Sequence, residues 1–228
     1  MTPEEMRQLT ISGATSSIDM GQKNGKSELQ TLSPIDILEF STLDEVEKEA
    51  RVCVRCNLCR SRTQVVFADG NPHAKLMIIG EGPGQREDET GVPFVGKAGQ
   101  LLDKILASVQ IDRQRDTYIC NIVKCRPPQN RVPTKEEAAL CKQFLMAQIA
   151  FVKPALILLA GSTAVQYTLQ LNEAISRIRG RWFDYCGAKA MPIFHPSYLL
   201  RNDSKQPGSP KWFMWQDIKL VKQRLMTL

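Results

Sequence analysis

The segment Leu76-Met77-Ile78-Ile79-Gly80-Glu81-Gly82-Pro83-Gly84 joins a short apolar run to a glycine-rich loop. A helical pattern follows, because apolar residues recur three and four positions apart at Ala98, Leu101, Leu102, Ile105 and Val109. Glycine lets a backbone approach a ligand closely. The acidic side chains of the loop repel phosphate, so an ordinary phosphate cradle is not expected. The loop instead favours a flat, uncharged ring beside a developing positive charge.

Three further apolar runs, at 118–123, 155–160 and 191–194, predict strands that join the one at 76–79. Because helical segments separate them, we expect an α/β fold. Its three α/β/α layers would enclose a four-stranded, mainly parallel central sheet. Ligands of such sheets bind beyond the carboxyl ends of the strands. In this chain the unusual residues gather at those ends, in the glycine loop, at 123–126, at Gly161-Ser162 and at His195-Pro196-Ser197.

Length and composition favour one folded domain. The chain has 228 residues, 43% of them hydrophobic, which is ordinary for a globular protein with one core. We expect residues 41–228 to form that domain and the polar residues 1–40 to be a disordered extension. No apolar run approaches membrane-spanning length, and the N-terminus lacks the pattern of a secretion signal. A cytoplasmic protein without membrane association is expected.

Charge is distributed unevenly along the chain. Residues 1–50 carry a net charge of −6, and the remainder carries +12. A cationic folded part favours a polyanionic partner such as nucleic acid. A merely solvated surface is the competing interpretation, and charge alone does not decide between them.

Seven cysteines in a cytosolic chain indicate metal binding or catalysis before disulfides. Cys53-x2-Cys56, together with the distant Cys125 and Cys141, can enclose one metal centre. Either Zn²⁺ or a [4Fe–4S] cluster satisfies four thiolates, and the spacing does not choose between them. Cys59 is a rival second ligand, because Cys56-x2-Cys59 is an equally good pair. Buried structural cysteines explain Cys120 and Cys186 but not the local pair.

Three side chains suggest recognition of a base. His195 ends an apolar strand, where it can donate to a carbonyl oxygen that gains negative charge. Asn121 lies in the second strand and carries both a donor and an acceptor for a base's pairing edge. Phe94 can stack on that base. Singly, each has a commoner structural interpretation: a core histidine, an asparagine bonded to backbone, or a core phenylalanine.

The residues that follow His195 suggest contact with DNA. Leu199, Leu200 and Arg201 form an apolar tip next to a cation, and such wedges can enter a base stack and hold a duplex open. The competing interpretation is an ordinary loop whose leucines pack on the body of the protein.

Several long motifs, in one order, resemble the iron–sulfur (family 4) uracil-DNA glycosylases of bacteria and archaea over about residues 50–226. The motifs are Gly80-Glu81-Gly82-Pro83-Gly84, Glu87-Asp88, Gly91-x-Pro93-Phe94-Val95-Gly96-x-Ala98-Gly99, Asn121-Ile122-Val123-Lys124-Cys125-Arg126-Pro127-Pro128-x-Asn130-Arg131, Cys141 and His195-Pro196-Ser197-Tyr198-Leu199-Leu200-Arg201. The resemblance implies a monomeric DNA-repair enzyme that flips uracil out of single- or double-stranded DNA and hydrolyses its glycosidic bond. It implies a [4Fe–4S] cofactor on Cys53, Cys56, Cys125 and Cys141.

The resemblance also assigns roles at the site. The catalytic residues would be Glu81, Glu87 and His195, the substrate-binding residues Gly80, Gly82, Phe94, Asn121 and Asn130, and the DNA-binding residues Ser197, Leu199, Leu200 and Arg201. His195 would stabilise the uracil O2 side, and Glu81 or Glu87 would stabilise the sugar cation or orient water. Asn130 is expected near Glu81. No lysine is indicated as a Schiff-base nucleophile, so strand cleavage is not expected.

Two other functions remain open from the sequence. A noncatalytic nucleic-acid-binding protein with a structural metal centre explains the charge and the cysteines. It does not explain the clustered Glu, Asn and His. A hydrolase of small nucleosides would keep the pocket without needing the apolar tip.

Overall fold

A computed structural model describes residues 40–228, which contain one six-stranded sheet in the order β1-β3-β2-β4-β6-β5. The strands are β1 (Asp69–Gly70), β2 (Leu76–Gly80), β3 (Thr117–Asn121), β4 (Leu156–Ala160), β5 (Phe183–Tyr185) and β6 (Ala188–Ile193). The four inner strands pair in parallel, and β1 and β5 pair antiparallel at the two edges. The expected α/β fold with a mainly parallel sheet is therefore confirmed.

Helices cover both faces of this sheet. They are α1 (Leu43–Val52), α2 (Gln85–Thr90), α3 (Lys97–Ala107), α4 (Arg113–Asp116), α5 (Lys135–Val152), α6 (Ser162–Leu169), α7 (Ile175–Ile178), α8 (Pro196–Arg201) and α9 (Pro210–Leu225), with 3-10 turns at Asn57–Arg60 and Pro128–Asn130. Side chains of β2 alternate between the faces, as in any strand. Met77 and Ile79 pack in the core under α1, α5 and α6, whereas Leu76 and Ile78 pack under α3, α8 and α9.

The sheet has six strands where four were expected, because the two edge strands were not predicted. β1 is two residues long, and β5 is a three-residue strand in a hairpin with β6. Neither is fully buried, so neither forms the continuous apolar run that marked the inner strands. The inner four match the predicted runs to within three residues at each end.

Capping side chains explain where two of the helices begin. The Thr42 hydroxyl accepts from the Glu45 N–H over 3.2 Å before α1, and Thr134 and Glu137 form a complete capping box before α5. Helix α6 begins at Ser162 without a capping side chain, and its N-cap is Gly161 at φ +92°. A β-carbon at Gly161 would approach the His195 β-carbon to 3.0 Å.

The chain order places a crevice between β2 and β4. From β2 the chain crosses to β3 on one side, and from β4 it crosses to β6 on the other. Neighbouring parallel strands whose connections leave in opposite directions open a cleft at their carboxyl ends. The glycine loop after β2 and the start of α6 after β4 therefore meet at the same edge as the ends of β3 and β6.

The predicted extension, residues 1–40, lies outside the described residues apart from Phe40, which packs against the core. Among residues 40–228, the helices are all too short or too polar to cross a membrane.

Candidate functional site

Gly80, the last residue of β2, and Gly82 of the loop that follows bring backbone close to the side chains of the site. A β-carbon at Gly80 would lie 2.4 Å from Asn121 Oδ1 and 2.5 Å from Phe94 Cζ. At Gly82 it would lie 2.8 Å from Val123 Cγ2. Gly80 and Asn121 are partners in the β2–β3 register, and Asn121 is 2% exposed. The amide and the aromatic ring therefore both approach Gly80.

Phe94 adopts a backbone conformation that is rare for an aromatic residue. Its φ is +53°, in the left-handed region, and its side chain is buried. Such conformations are costly and concentrate at ligand-binding and active sites. The Phe94 ring centroid lies 5.8 Å from that of His195, with 33° between the planes. The Phe94 ring thus lies beside the His195 imidazole and, with the Asn121 amide, beside Gly80 at the carboxyl edge of the sheet.

His195 follows β6 and caps α8. Its Nδ1 accepts a hydrogen bond from the Ser197 N–H over 3.2 Å and lies 2.7 Å from Ser197 Oγ. Because Nδ1 accepts, the neutral ring carries its proton on Nε2. Burial, and to a lesser extent the charge of Arg201, lower the pKa of His195 to about 4 against the opposing effect of Glu87. At neutral pH the site holds an uncharged imidazole with an N–H to donate.

Glu81 lies in the crevice between β2 and β4, where the Thr163 hydroxyl donates to its Oε2 over 2.5 Å. Asn130 was expected near Glu81, but its Oδ1 instead accepts from Arg126 Nε over 2.8 Å, and Asn130 is exposed. The sequence did not single out Thr163 as a partner of Glu81. Its position could have indicated it, because Thr163 lies two residues beyond Gly161, just after an apolar strand.

Glu87 is committed to the backbone of the loop that carries Phe94. Its Oε1 accepts from the Val95 N–H over 2.9 Å and from the Gly96 N–H over 2.8 Å. These are the amides at the start of α3, which has Gly96 as its N-cap and no capping side chain of its own. Glu87 therefore fixes the loop, whereas Glu81 has one hydrogen bond from a side chain across the crevice.

The apolar tip is divided between core and surface. Leu199 is 1% exposed and packs in the core with Leu102 and Met214, so its assignment as a DNA-binding residue is wrong. A helix turns successive side chains by about 100°. Leu200 is therefore 44% exposed, and Arg201 beside it is exposed as well. Ser197 is partly buried, and its N–H donates to His195 Nδ1.

Five cysteines line one cavity between the end of α1, the loop after β3 and α5: Cys53, Cys56, Cys59, Cys125 and Cys141. The four predicted ligands are therefore brought together, and so is the rival Cys59. The other two cysteines lie elsewhere, Cys120 inside β3 and Cys186 in the turn between β5 and β6. Within residues 40–228, no group of three or more Cys, His, Asp or Glu is arranged to hold a metal ion.

Hydrogen-bond donors point at two of these sulfurs. Arg62 Nη1 lies 3.2 Å from Cys125 Sγ, and the Lys124 N–H donates to Cys141 Sγ over 3.4 Å. Burial raises the pKa of Cys125 to about 11 and that of Cys141 to about 12. Both thiols are thus protonated unless something supplies positive charge to the cavity.

Lys124 is a buried cation between the two regions. Its Nζ donates to the Asn121 carbonyl and to Gln148 Oε1, each over 2.6 Å, and the residue is 1% exposed. Lys124 precedes Cys125, so one short segment joins the pocket asparagine to the cysteine cavity.

The uracil DNA glycosylase superfamily model matches residues 67–219. A type-4 uracil-DNA glycosylase of Thermotoga maritima is 46% identical over 166 residues, covering 72% of this chain and 86% of the relative. Another, of Archaeoglobus fulgidus, is 38% identical over 169 residues, covering 71% and 84%. A third, of Saccharolobus solfataricus, is 37% identical over 194 residues, covering 82% and 88%.

Proposed function

The chain belongs to the uracil-DNA glycosylase superfamily, among its type-4 members, and from this premise we propose that it excises uracil from DNA. The reaction is hydrolysis of the bond between uracil N1 and deoxyribose C1′, and it leaves an abasic site. The observation that carries the proposal is that Phe94 lies beside His195 and that Phe94 and Asn121 both approach Gly80 at the carboxyl edge of the sheet.

The pocket suits a pyrimidine that has been rotated out of the helix. Uracil in a base stack is inaccessible, so the enzyme must flip it out at a cost of a few kcal/mol. Phe94 stacks on the extruded ring, and Asn121 pairs with its N3–H and O4. Cytosine reverses this donor–acceptor order, because its N3 is an acceptor and its amino group a donor, so both pairing groups meet like groups of an amide oriented for uracil.

His195 supports bond breaking as a neutral hydrogen-bond donor. Cleavage leaves negative charge on uracil and positive charge on the sugar. The Nε2–H of the uncharged imidazole donates to uracil O2, where part of the negative charge collects. Because burial keeps its pKa near 4, the ring stabilises the leaving group by donation and not by giving up a proton at neutral pH.

Glu81 is our candidate for the carboxylate that stabilises the sugar cation or orients the attacking water. Thr163 holds it in the crevice, so its direction is fixed before substrate binds. Glu87 shapes the pocket through the Val95 and Gly96 amides. Glu81 is thus assigned to the chemistry, and Glu87 to positioning the loop that carries Phe94. Lys124 Nζ is buried and engaged by two acceptors, which supports a monofunctional enzyme without Schiff-base strand cleavage.

DNA contacts are assigned to the exposed residues of α8. Leu200 enters the gap left by the flipped nucleotide, and Arg201 binds a neighbouring phosphate. The net charge of +12 on residues 51–228 supports binding to single- or double-stranded DNA. We propose that the protein acts as a cytoplasmic monomer.

The thiols of the second cavity suit a [4Fe–4S] cluster held by Cys53, Cys56, Cys125 and Cys141, with Cys59 as the rival to Cys56. The donor set fits, because cluster irons prefer thiolates, and N–H groups at sulfur are a usual part of such sites. When bound, the cluster supplies positive charge for the thiolates and a covalent link between α1 and α5. Glycosidic hydrolysis needs no redox step, so the role is structural.

A release assay tests the proposed function against its two rivals. Uracil release is measured from single- and double-stranded oligonucleotides containing one uracil, and from free deoxyuridine. We expect release from the oligonucleotides and none from the nucleoside. Release from deoxyuridine alone would favour a nucleoside hydrolase. Binding to DNA without any release would favour the noncatalytic nucleic-acid-binding protein.

A further inference from the structure

Phe94 is held in its strained conformation by groups outside its own loop. A left-handed backbone at a bulky residue persists only where the surroundings determine it. The pocket depends on it, because the same residue places its ring against Gly80 and beside His195. What fixes the Phe94 backbone therefore fixes the stacking surface.

Arg113 binds this backbone at two consecutive peptide groups. Its Nη1 donates to the Phe94 carbonyl over 2.9 Å, and its Nη2 donates to the Pro93 carbonyl over 2.5 Å. The guanidinium is a rigid planar fork, so two donors on one group set the orientation of both carbonyls. The Arg113 side chain is 14% exposed, which limits competition from water.

Two carboxylates orient the guanidinium from different elements. Asp69 of β1 accepts from Arg113 Nε over 2.8 Å, and Asp103 of α3 accepts from Nη1 over 2.8 Å. Gln114 also donates to Asp69, over 2.9 Å. The fork is therefore fixed by the sheet edge and by a helix before it meets the Phe94 loop.

Helix α3 packs closely against the other side of the Phe94 loop. A β-carbon at Gly99 would lie 1.8 Å from the Phe94 oxygen, so the first turn of α3 packs directly on that carbonyl. Glu87 holds the next two amides. Arg113 is the charged donor that faces the same carbonyl from α4.

We propose that Arg113 is a positioning residue that holds Phe94 in its strained conformation, so that the aromatic ring is already in place to stack on flipped uracil. The inference rests on the proposed function. Without the two hydrogen bonds, the Phe94 backbone relaxes toward ordinary φ values and the ring must be ordered again during binding. Preorganisation of this kind lowers the cost of reaching the transition state.

A double-mutant cycle separates this role from general stabilisation. Arg113→Met is measured alone and together with Phe94→Ala, as kcat/KM for uracil release. We expect Arg113→Met to lower kcat/KM roughly tenfold in the parent protein and less than about twofold in the Phe94→Ala background. Arg115→Met is the matched control on the same helix, because Arg115 is exposed and pairs with its neighbour Asp116. It should leave kcat/KM unchanged.

Arg113→Lys gives a second test that does not depend on Arg113→Met folding. Lysine keeps a positive charge beside Asp69 and Asp103 but lacks the planar fork. As for Arg113→Met, we expect Arg113→Lys to lower kcat/KM in the parent protein and to have little effect on it in the Phe94→Ala background. Equal losses in both backgrounds, for either variant, would overturn the role of Arg113 and leave the glycosylase function standing. A parent protein that releases no uracil would overturn the proposed function, and this inference with it.

Discussion

The proposed uracil site and the cysteine cavity lie at the two ends of the segment 121–125 and are stabilised in opposite ways. In the pocket, His195, Glu81 and Phe94 are each held by hydrogen bonds from other protein groups. In the cavity, five thiols gather where burial raises the pKa of Cys125 and Cys141. The groups of the proposed pocket are held by other protein groups, whereas the cavity thiols would become thiolates on binding the cluster proposed above.

This difference separates what each region contributes. A preorganised pocket places its donors before the substrate arrives, and the benefit appears in catalysis. A cavity completed by a bound group gains its free energy from that group, and the benefit appears in stability. Variants in the pocket should therefore change the rate, and variants in the cavity should change the free energy of unfolding.

The largest effect is expected from His195→Ala. Removing the Nε2–H takes away the donor at uracil O2, and loss of one such donor typically costs about 100-fold in kcat. Single-turnover release from a uracil oligonucleotide measures it. His73→Ala is the control, because His73 is exposed on a loop. A His195→Ala enzyme within twofold of the parent would remove the imidazole from the mechanism.

Cys141→Ser, unlike His195→Ala, should act mainly on the stability of the protein. We expect the variant to lose iron and the absorbance near 400 nm, and its Tm to fall by roughly 10 °C, as about 3 kcal/mol does in a chain of this size. Cys186→Ser is the control, since Cys186 lies in the β5–β6 turn, and it should retain iron. Full iron content in Cys141→Ser would exclude Cys141 as a ligand.

The neighbouring leucines of α8 sharpen the same contrast at one site. Leu199→Ala should lower the free energy of unfolding by about 2–4 kcal/mol, because it empties a core position. Leu200→Ala should leave stability unchanged and slow release from double-stranded DNA severalfold. Denaturant unfolding and duplex assays distinguish them. An unstable Leu200→Ala protein with normal duplex activity would reverse the assignment.

The smallest effect is expected from pH. An ordinary histidine titrates near pH 6.5, but burial lowers the pKa of His195 to about 4. The imidazole therefore stays neutral as pH falls from 8 to 5.5, and kcat should show no inflection from this group. A fall in kcat centred near pH 6.5 that is absent in His195→Ala would contradict it.

Sequence alone predicted the parts of this molecule that depend on local pattern. The four inner strands are continuous apolar runs, and the strand ends carry Gly80, Asn121 and His195. The sequence did not predict the edge strands, because β1 is two residues long and β5 lacks a run of buried residues. The sequence did not decide that Leu199 faces the core, because the same residues fit both an exposed apolar tip and a short helix with one buried side.

Contacts across the fold were beyond the sequence. Thr163 reaches Glu81 only because β2 and β4 are neighbours in the sheet, although 82 residues separate the two side chains. Arg113 reaches the Phe94 carbonyl across 19 residues, through a loop with no marked pattern. The expected position of Asn130 near Glu81 stays a prediction; in the structure Asn130 accepts from Arg126, four residues away on the same loop.

The proposed mechanism requires that His195 is neutral, with its proton on Nε2, before any DNA binds. A pH titration of the free protein by ¹⁵N-edited NMR of the imidazole nitrogens tests it directly. We predict a protonated Nε2 at neutral pH, an unprotonated Nδ1 facing Ser197, and a pKa near 4. A pKa at or above 6.5, or a proton on Nδ1, would contradict the account.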